Sequence, residues 1–83
     1  MARYRALWLQ LAREQYDALP GFVQQQLRRR IEQLLERPEL PRSSYDPGTD
    51  QWTITYGDGA GLLLVAIKVE HRTIIVLRLV HLS

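Results

Sequence analysis

The chain has 83 residues, a formal net charge of +2 and no cysteine. That length supports one compact domain with a modest core rather than two, and the missing cysteine excludes a disulfide framework and thiolate-ligated metal. The 46% apolar and 24% charged content is that of a folded domain, not of a disordered tail.

Ala2 to Leu7 is expected to form a short strand, although Tyr4 and Leu7 do not alternate cleanly. From Trp8 onward, Trp8, Leu11, Ala12, Gln15, Tyr16 and Leu19 recur at helical spacing, and Pro20-Gly21 ends this first helix. Val23, Leu27, Ile31, Leu34 and Leu35 then make one apolar stripe on a long second helix. Its opposite face carries Gln24, Gln25, Arg28, Arg29, Glu32 and Glu36, with Arg28 and Glu32 one turn apart as a favourable pair. Pro38 stops the helix, and the short link around Pro20 predicts an antiparallel helical hairpin. Glu39 to Gln51, rich in Pro, Ser, Asp and Gly, reads as a loop.

The period then changes to two. Trp52, Ile54 and Tyr56 alternate with Thr53 and Thr55, a turn follows at Gly57 to Gly61, and Leu62–Val69 and Arg72–Val80 form two more strands joined through Glu70 and His71. The expected fold is therefore α+β in a single domain, 1–83. It has an N-terminal short strand, a helical hairpin, and a three-stranded antiparallel meander forming a small sheet packed on the two helices.

The last two strands carry apolar residues on both faces. Leu62, Leu64 and Ala66, with Lys68 at the rim, oppose Leu63, Val65 and Ile67; Ile75, Leu77 and Leu79 oppose Ile74, Val76 and Val80. Two helices cover only one side of a sheet. The second face is either a partner surface or buried because the sheet curls; exposed apolar patches of this kind mark interaction sites.

A short strand, a helical hairpin ending near a proline, a variable loop and three strands finishing in Val-Leu-Arg resemble the RelE/ParE toxin superfamily. The residues that carry the resemblance are Leu19-Pro20, the segment IEQLLERP from Ile31 to Pro38, Trp52, and IVLRLVH from Ile75 to His81. The resemblance implies the toxin half of a type II toxin–antitoxin system, neutralised by a cognate antitoxin that wraps it. One branch of the superfamily cleaves mRNA in the ribosomal A site; the other inhibits DNA gyrase.

Cleaving RNA requires cations to stabilise the developing charge and a group to handle protons. Thr53 and Thr55 stand where RelE carries lysines, and Leu62 and Leu82 stand at its arginine positions, so the RelE mechanism is not expected here. Arg78 matches an arginine common in the superfamily, and His81 falls near the terminal histidine of YoeB-like toxins. Arg78 and His81 are the candidate catalytic pair of a reduced nuclease site; the competing reading pairs Arg78 with an antitoxin carboxylate and makes His81 a polar strand end.

The candidate partner surface is Leu62, Leu64, Ala66, Lys68, Val76, Arg78, Val80 and Leu82. A cognate antitoxin is its expected occupant, with gyrase or the ribosome and mRNA as alternative targets and a homodimer as another way to cover it. A degenerate, non-toxic homologue is a further alternative.

Ten of the eleven basic residues are arginine, whose planar fork suits carboxylate or phosphate. Arg28, Arg29 and Arg42 are candidate nucleic-acid contacts, with Arg30 and Arg37 near them, although a solvated helix face explains Arg28 and Arg29 equally well. The histidines His71 and His81 are too few for a protein-only zinc site, so no metal or cofactor is expected. The longest apolar run, Gly61 to Ile67, is far too short for a spanning helix, and Gln10, Arg13 and Glu14 interrupt any signal-peptide core. The expected location is cytoplasmic, without membrane contact.

Overall fold

The apolar stripe of the second predicted helix supplies the helical half of the core. In the computed structural model, which describes residues 3–37 and 43–82, that helix is α2 (Gly21–Glu36), and Val23, Leu27, Ile31, Leu34 and Leu35 are all buried on it. It follows β1 (Arg5–Trp8) and α1 (Gln10–Asp17) and precedes β2 (Ser43–Asp46), β3 (Gln51–Tyr56), β4 (Gly61–Lys68) and β5 (Thr73–His81). The strands form one sheet in the order β1-β5-β4-β3-β2, with β1 parallel to β5 and the other pairs antiparallel. The α+β layout and the β3–β4–β5 meander agree with the sequence reading.

Two elements differ from it. Ser43–Asp46, inside the expected loop, is a strand: its backbone pairs with β3, and Tyr45 lies opposite Trp52 with ring centroids 4.8 Å apart. Trp8 belongs to β1 rather than to the first helix, because pairing with β5 continues through Trp8 opposite Val76, and the Leu9 N–H donates to the Val76 carbonyl at 3.0 Å. Trp8 still reaches α1, meeting Tyr16 edge-on at 5.3 Å. Only Ala12 of α1 is buried, and Leu11, expected in the apolar stripe, is 54% exposed. Glu32 pairs with Arg3 across the fold.

Ile54 and Tyr56 of β3, Leu63 and Val65 of β4, and Ile74, Val76 and Leu79 of β5 complete the core against the helices. The β5 set breaks strict alternation. Leu64 pairs with Arg78 but Val65 pairs with Val76, so Leu77 is an extra residue, a β-bulge. The bulge turns both Val76 and Leu79 inward. Beyond Val76, β5 no longer has β1 beside it, and the Leu79 N–H donates instead to Gln15 Oε1 at 2.7 Å. Gln15→Ala removes that acceptor and is expected to lower stability by about 1–2 kcal/mol in urea unfolding, with Gln15→Glu restoring most of it. An unchanged midpoint for Gln15→Ala would mean that solvent satisfies this N–H.

Candidate partner surface and polar cleft

Strand register fixes what the uncovered face of the sheet displays. Thr55, Leu62 and Val80 form one row across β3, β4 and β5, and Thr53, Leu64 and Arg78 form the next. Leu7, Ile75 and Ala66 make a third row, and Arg5, Thr73 and Lys68 a fourth. All of these alternate with core residues, so they point away from the helices. Leu62, Leu64, Ile75 and Val80 are half-buried, Arg78 is exposed, and Leu7 and Leu82 are 54% and 61% exposed. This face is apolar, open and cationic at its middle and one end. Lys68 Nζ lies 3.7 Å from Asp50 Oδ2, and Arg5 Nε donates to Thr73 Oγ1 at 3.2 Å.

One expected member of this surface lies on the other side of the sheet, and one lies where expected but is nearly covered. Val76 is fully buried in the core, because the bulge at Leu77 puts it on the opposite side from Arg78 and Val80. Ala66 is on the outer face but only 8% exposed, since its small side chain stands opposite the taller Ile75.

The candidate pair Arg78 and His81 is not brought together. Register is regular between them, so Arg78 faces outward and His81 inward. His81 lies against Tyr56, with rings 6.4 Å apart and nearly parallel, and its Nδ1 is 3.5 Å from the Tyr56 hydroxyl. Burial raises the Tyr56 hydroxyl above its ordinary pKa, which keeps it neutral. A histidine acting on an RNA phosphate needs its cation on the same side, and here the sheet stands between them.

No protein-family model and no curated protein matches the sequence. Solved structures do match. The isolated Escherichia coli RelE toxin superposes with a TM-score of 0.83 at 18% identity, over 96% of this chain and 85% of that one. A chain of the archaeal RelE–RelB complex from Pyrococcus horikoshii gives 0.74 at 17% identity, over 100% and 98% of the two chains. A chain of the chromosomal ParDE system from Pseudomonas aeruginosa gives 0.74 at 15% identity, over 100% of both. The chain has the RelE/ParE fold.

The strand register also places the uncharged positions singled out in the sequence. Thr53, Thr55 and Leu62 fall in the two neighbouring rows that hold Arg78 and Val80, so these three uncharged residues form one continuous patch on the outer face.

A second feature lies on the helix side of the sheet. Gln26, Arg29, Arg30 and Gln33 of α2 face Thr55, Tyr56, Gly57 and Gly59 across a polar cleft of about 630 Å³. Arg30 is held there: Nε donates to the Thr55 carbonyl and Nη1 to Gln33 Oε1, each at 3.1 Å. Gly57 takes φ +60°, a backbone conformation that favours glycine, and the end of the Gln26 side chain lies over it. Arg28 and Arg29, grouped in the sequence, diverge around the helix: Arg28 lines a shallow groove with Trp8, Arg13, Tyr16 and Glu32. Arg42 lies outside the described residues. Gln26 and Gln33 escaped the sequence reading, although their spacing with Arg29 and Arg30, i, i+3, i+4, i+7, marks one helix face. No cluster of three or more potential metal ligands occurs among the described residues, and no helix among them is long and apolar enough to cross a membrane.

Proposed function

We propose that this chain is the toxin component of a type II toxin–antitoxin pair, neutralised by a cognate antitoxin on the outer sheet face. It acts by binding a cellular target, of which gyrase is the example its superfamily supplies, rather than by RelE-type RNA cleavage. The observation that carries this reading is the open outer face, apolar around Arg78 and neutral at Thr53, Thr55 and Leu62.

An apolar face with an exposed arginine at its middle suits a protein segment offering apolar side chains and a carboxylate. It does not suit a phosphodiester whose charge grows during cleavage. Removing one preorganised donor to such a charge lowers kcat by about 100-fold or more, and here several neighbouring positions lack one. Structural relatives support the partner: a crystal structure shows E. coli RelE in the intact RelBE complex, and the structure of a doubly substituted RelE has been solved with a peptide of its antitoxin.

Induced expression in bacterial cells tests this reading. Growth is expected to stop on induction and to resume when the cognate antitoxin is co-expressed. Undisturbed growth with the protein soluble and abundant would refute the proposal and leave a degenerate homologue.

A further inference from the structure

β1 lies at one end of the sheet, with no strand beyond it among the described residues. Its ladder to β5 uses the N–H groups of Arg5 and Leu9, which donate to the Arg72 and Val76 carbonyls at 2.9 and 3.0 Å. Backbone groups alternate along a strand, so the N–H and C=O of Ala6 and Trp8 point the other way, out of the sheet edge. A groove of about 370 Å³ opens along this edge, between Ala6 and Trp8 on one side and Tyr16, Ile31 and Leu35 of the helices on the other. Such an edge is a template for another strand unless charge, proline or a bulge blunts it. The opposite edge, β2, is blunted by the exposed, polar Ser44 and Asp46. Along β1 and into α1, by contrast, Leu7, Leu9 and Leu11 are 54%, 42% and 54% exposed.

We propose that β1 is a self-association edge: two copies of the chain pair their β1 strands antiparallel about a two-fold axis at Leu7, joining both sheets into one. The backbone fixes this register. An axis at Leu7 sets Ala6 of each copy opposite Trp8 of the other, and these are the residues whose N–H and C=O face outward, so each pair exchanges both hydrogen bonds. The same pairing puts the small Ala6 beside the large Trp8 ring and brings Leu7 against its own copy on the outer face. The charges suit it as well. Arg3 and Arg5 stand at one end of β1, and Gln10 with Glu14, its hydrogen-bond partner, follows at the other. Antiparallel pairing sets the basic end of each copy toward the acidic end of the other and keeps the two Arg5 residues about 14 Å apart. The pairing uses the edge of the sheet and leaves the rows around Arg78 open in both copies. It therefore goes beyond the proposed antitoxin surface and does not depend on it.

The chain has no cysteine, so single introduced cysteines read the register directly. In the proposed pair Leu7 meets its own copy at a non-hydrogen-bonded position, with Cα atoms about 4.5 Å apart, inside the range a disulfide spans. Leu7→Cys is therefore expected to form a disulfide-linked dimer under mild oxidation at least about tenfold faster than Leu9→Cys or Leu82→Cys. Leu9 is comparably exposed, but the same axis holds its two copies about 14 Å apart. Leu82 follows the end of β5, where β1 no longer lies alongside. Sedimentation of the wild-type chain is expected to show monomer giving way to dimer as concentration rises. Ala6→Pro removes an outward N–H that the ladder to β5 does not use, so circular dichroism is expected to stay near wild type while the dimer is lost. Monomer at every concentration, equal cross-linking of Leu7→Cys and Leu9→Cys, or a folded Ala6→Pro chain that still dimerises would overturn the proposal.

Discussion

Gly61→Ala is expected to destabilise the domain by about 3 kcal/mol, at the upper end for overpacking, and to lower Tm by about 12–24 °C for a chain of this size. Gly61 pairs with Tyr56 across β3 and β4, and a Cβ at this position would stand 2.6 Å from Tyr56 Cε1 and nearer still to Cζ and the hydroxyl. Tyr56 is 2% exposed within the core, with His81 close to its ring. Relief therefore means expelling a buried aromatic or parting the strands at this pair. Tyr56→Leu in the Gly61→Ala background shortens the obstructing side chain, so the two changes are expected to be strongly non-additive. Thermal unfolding of the four proteins measures this. A Gly61→Ala midpoint within about 2 °C of wild type, where 1 kcal/mol corresponds to about 4–8 °C, would mean that the Tyr56 ring is not seated over Gly61.

Leu64→Glu is expected to weaken antitoxin binding by about 30- to 1000-fold while leaving the domain folded. Leu64 is half-buried on the outer face, in one row with Thr53 and Arg78. The free chain can keep a carboxylate there in water. In the complex the new charge is either buried without a partner or paired with Arg78 on its own chain, which removes Arg78 from the interface. Burying an uncompensated charge costs about 3–5 kcal/mol; the smaller range expected here, about 2–4 kcal/mol, allows for Arg78 and converts to the stated fold-change. Isothermal titration with the antitoxin gives the affinity, and loss of antitoxin rescue in growing cells gives the consequence. An unchanged Kd would move the partner off this face, with the groove lined by Trp8, Arg13 and Tyr16 the next surface to test.

Much of the fold was legible where local pattern and tertiary packing agree. The stripe from Val23 to Leu35 is buried as its helical period requires, and Ile54 and Tyr56 alternate into the core as written. The sequence misled where pairing overrides pattern. β2 is polar and flanked by prolines, and only the backbone of β3 makes it a strand. Trp8 fits a helical spacing, yet the parallel ladder with β5 claims it. In β5 the run TIIVLRLV is apolar at nearly every position, so nothing in it marks Leu77 as the bulge. That one extra residue moves Val76 from the expected partner surface into the core. The resemblance paired Arg78 with His81, three residues away, and an unbroken strand turns them to opposite sides. The cleft was half visible, since its α2 residues share a face, but its other wall depends on the Gly57–Gly59 turn folding against that helix.

On the function proposed above, the outer face binds and does not cleave. Sequencing mRNA 5′ ends in cells arrested by the wild-type chain tests that claim most directly. Arrest with messages intact, and no new ends within translated codons, is the predicted result. New 5′ ends inside codons, appearing on induction and disappearing when the antitoxin is co-expressed, would contradict it and require a nuclease site assembled from residues other than the neutral patch of Thr53, Thr55 and Leu62.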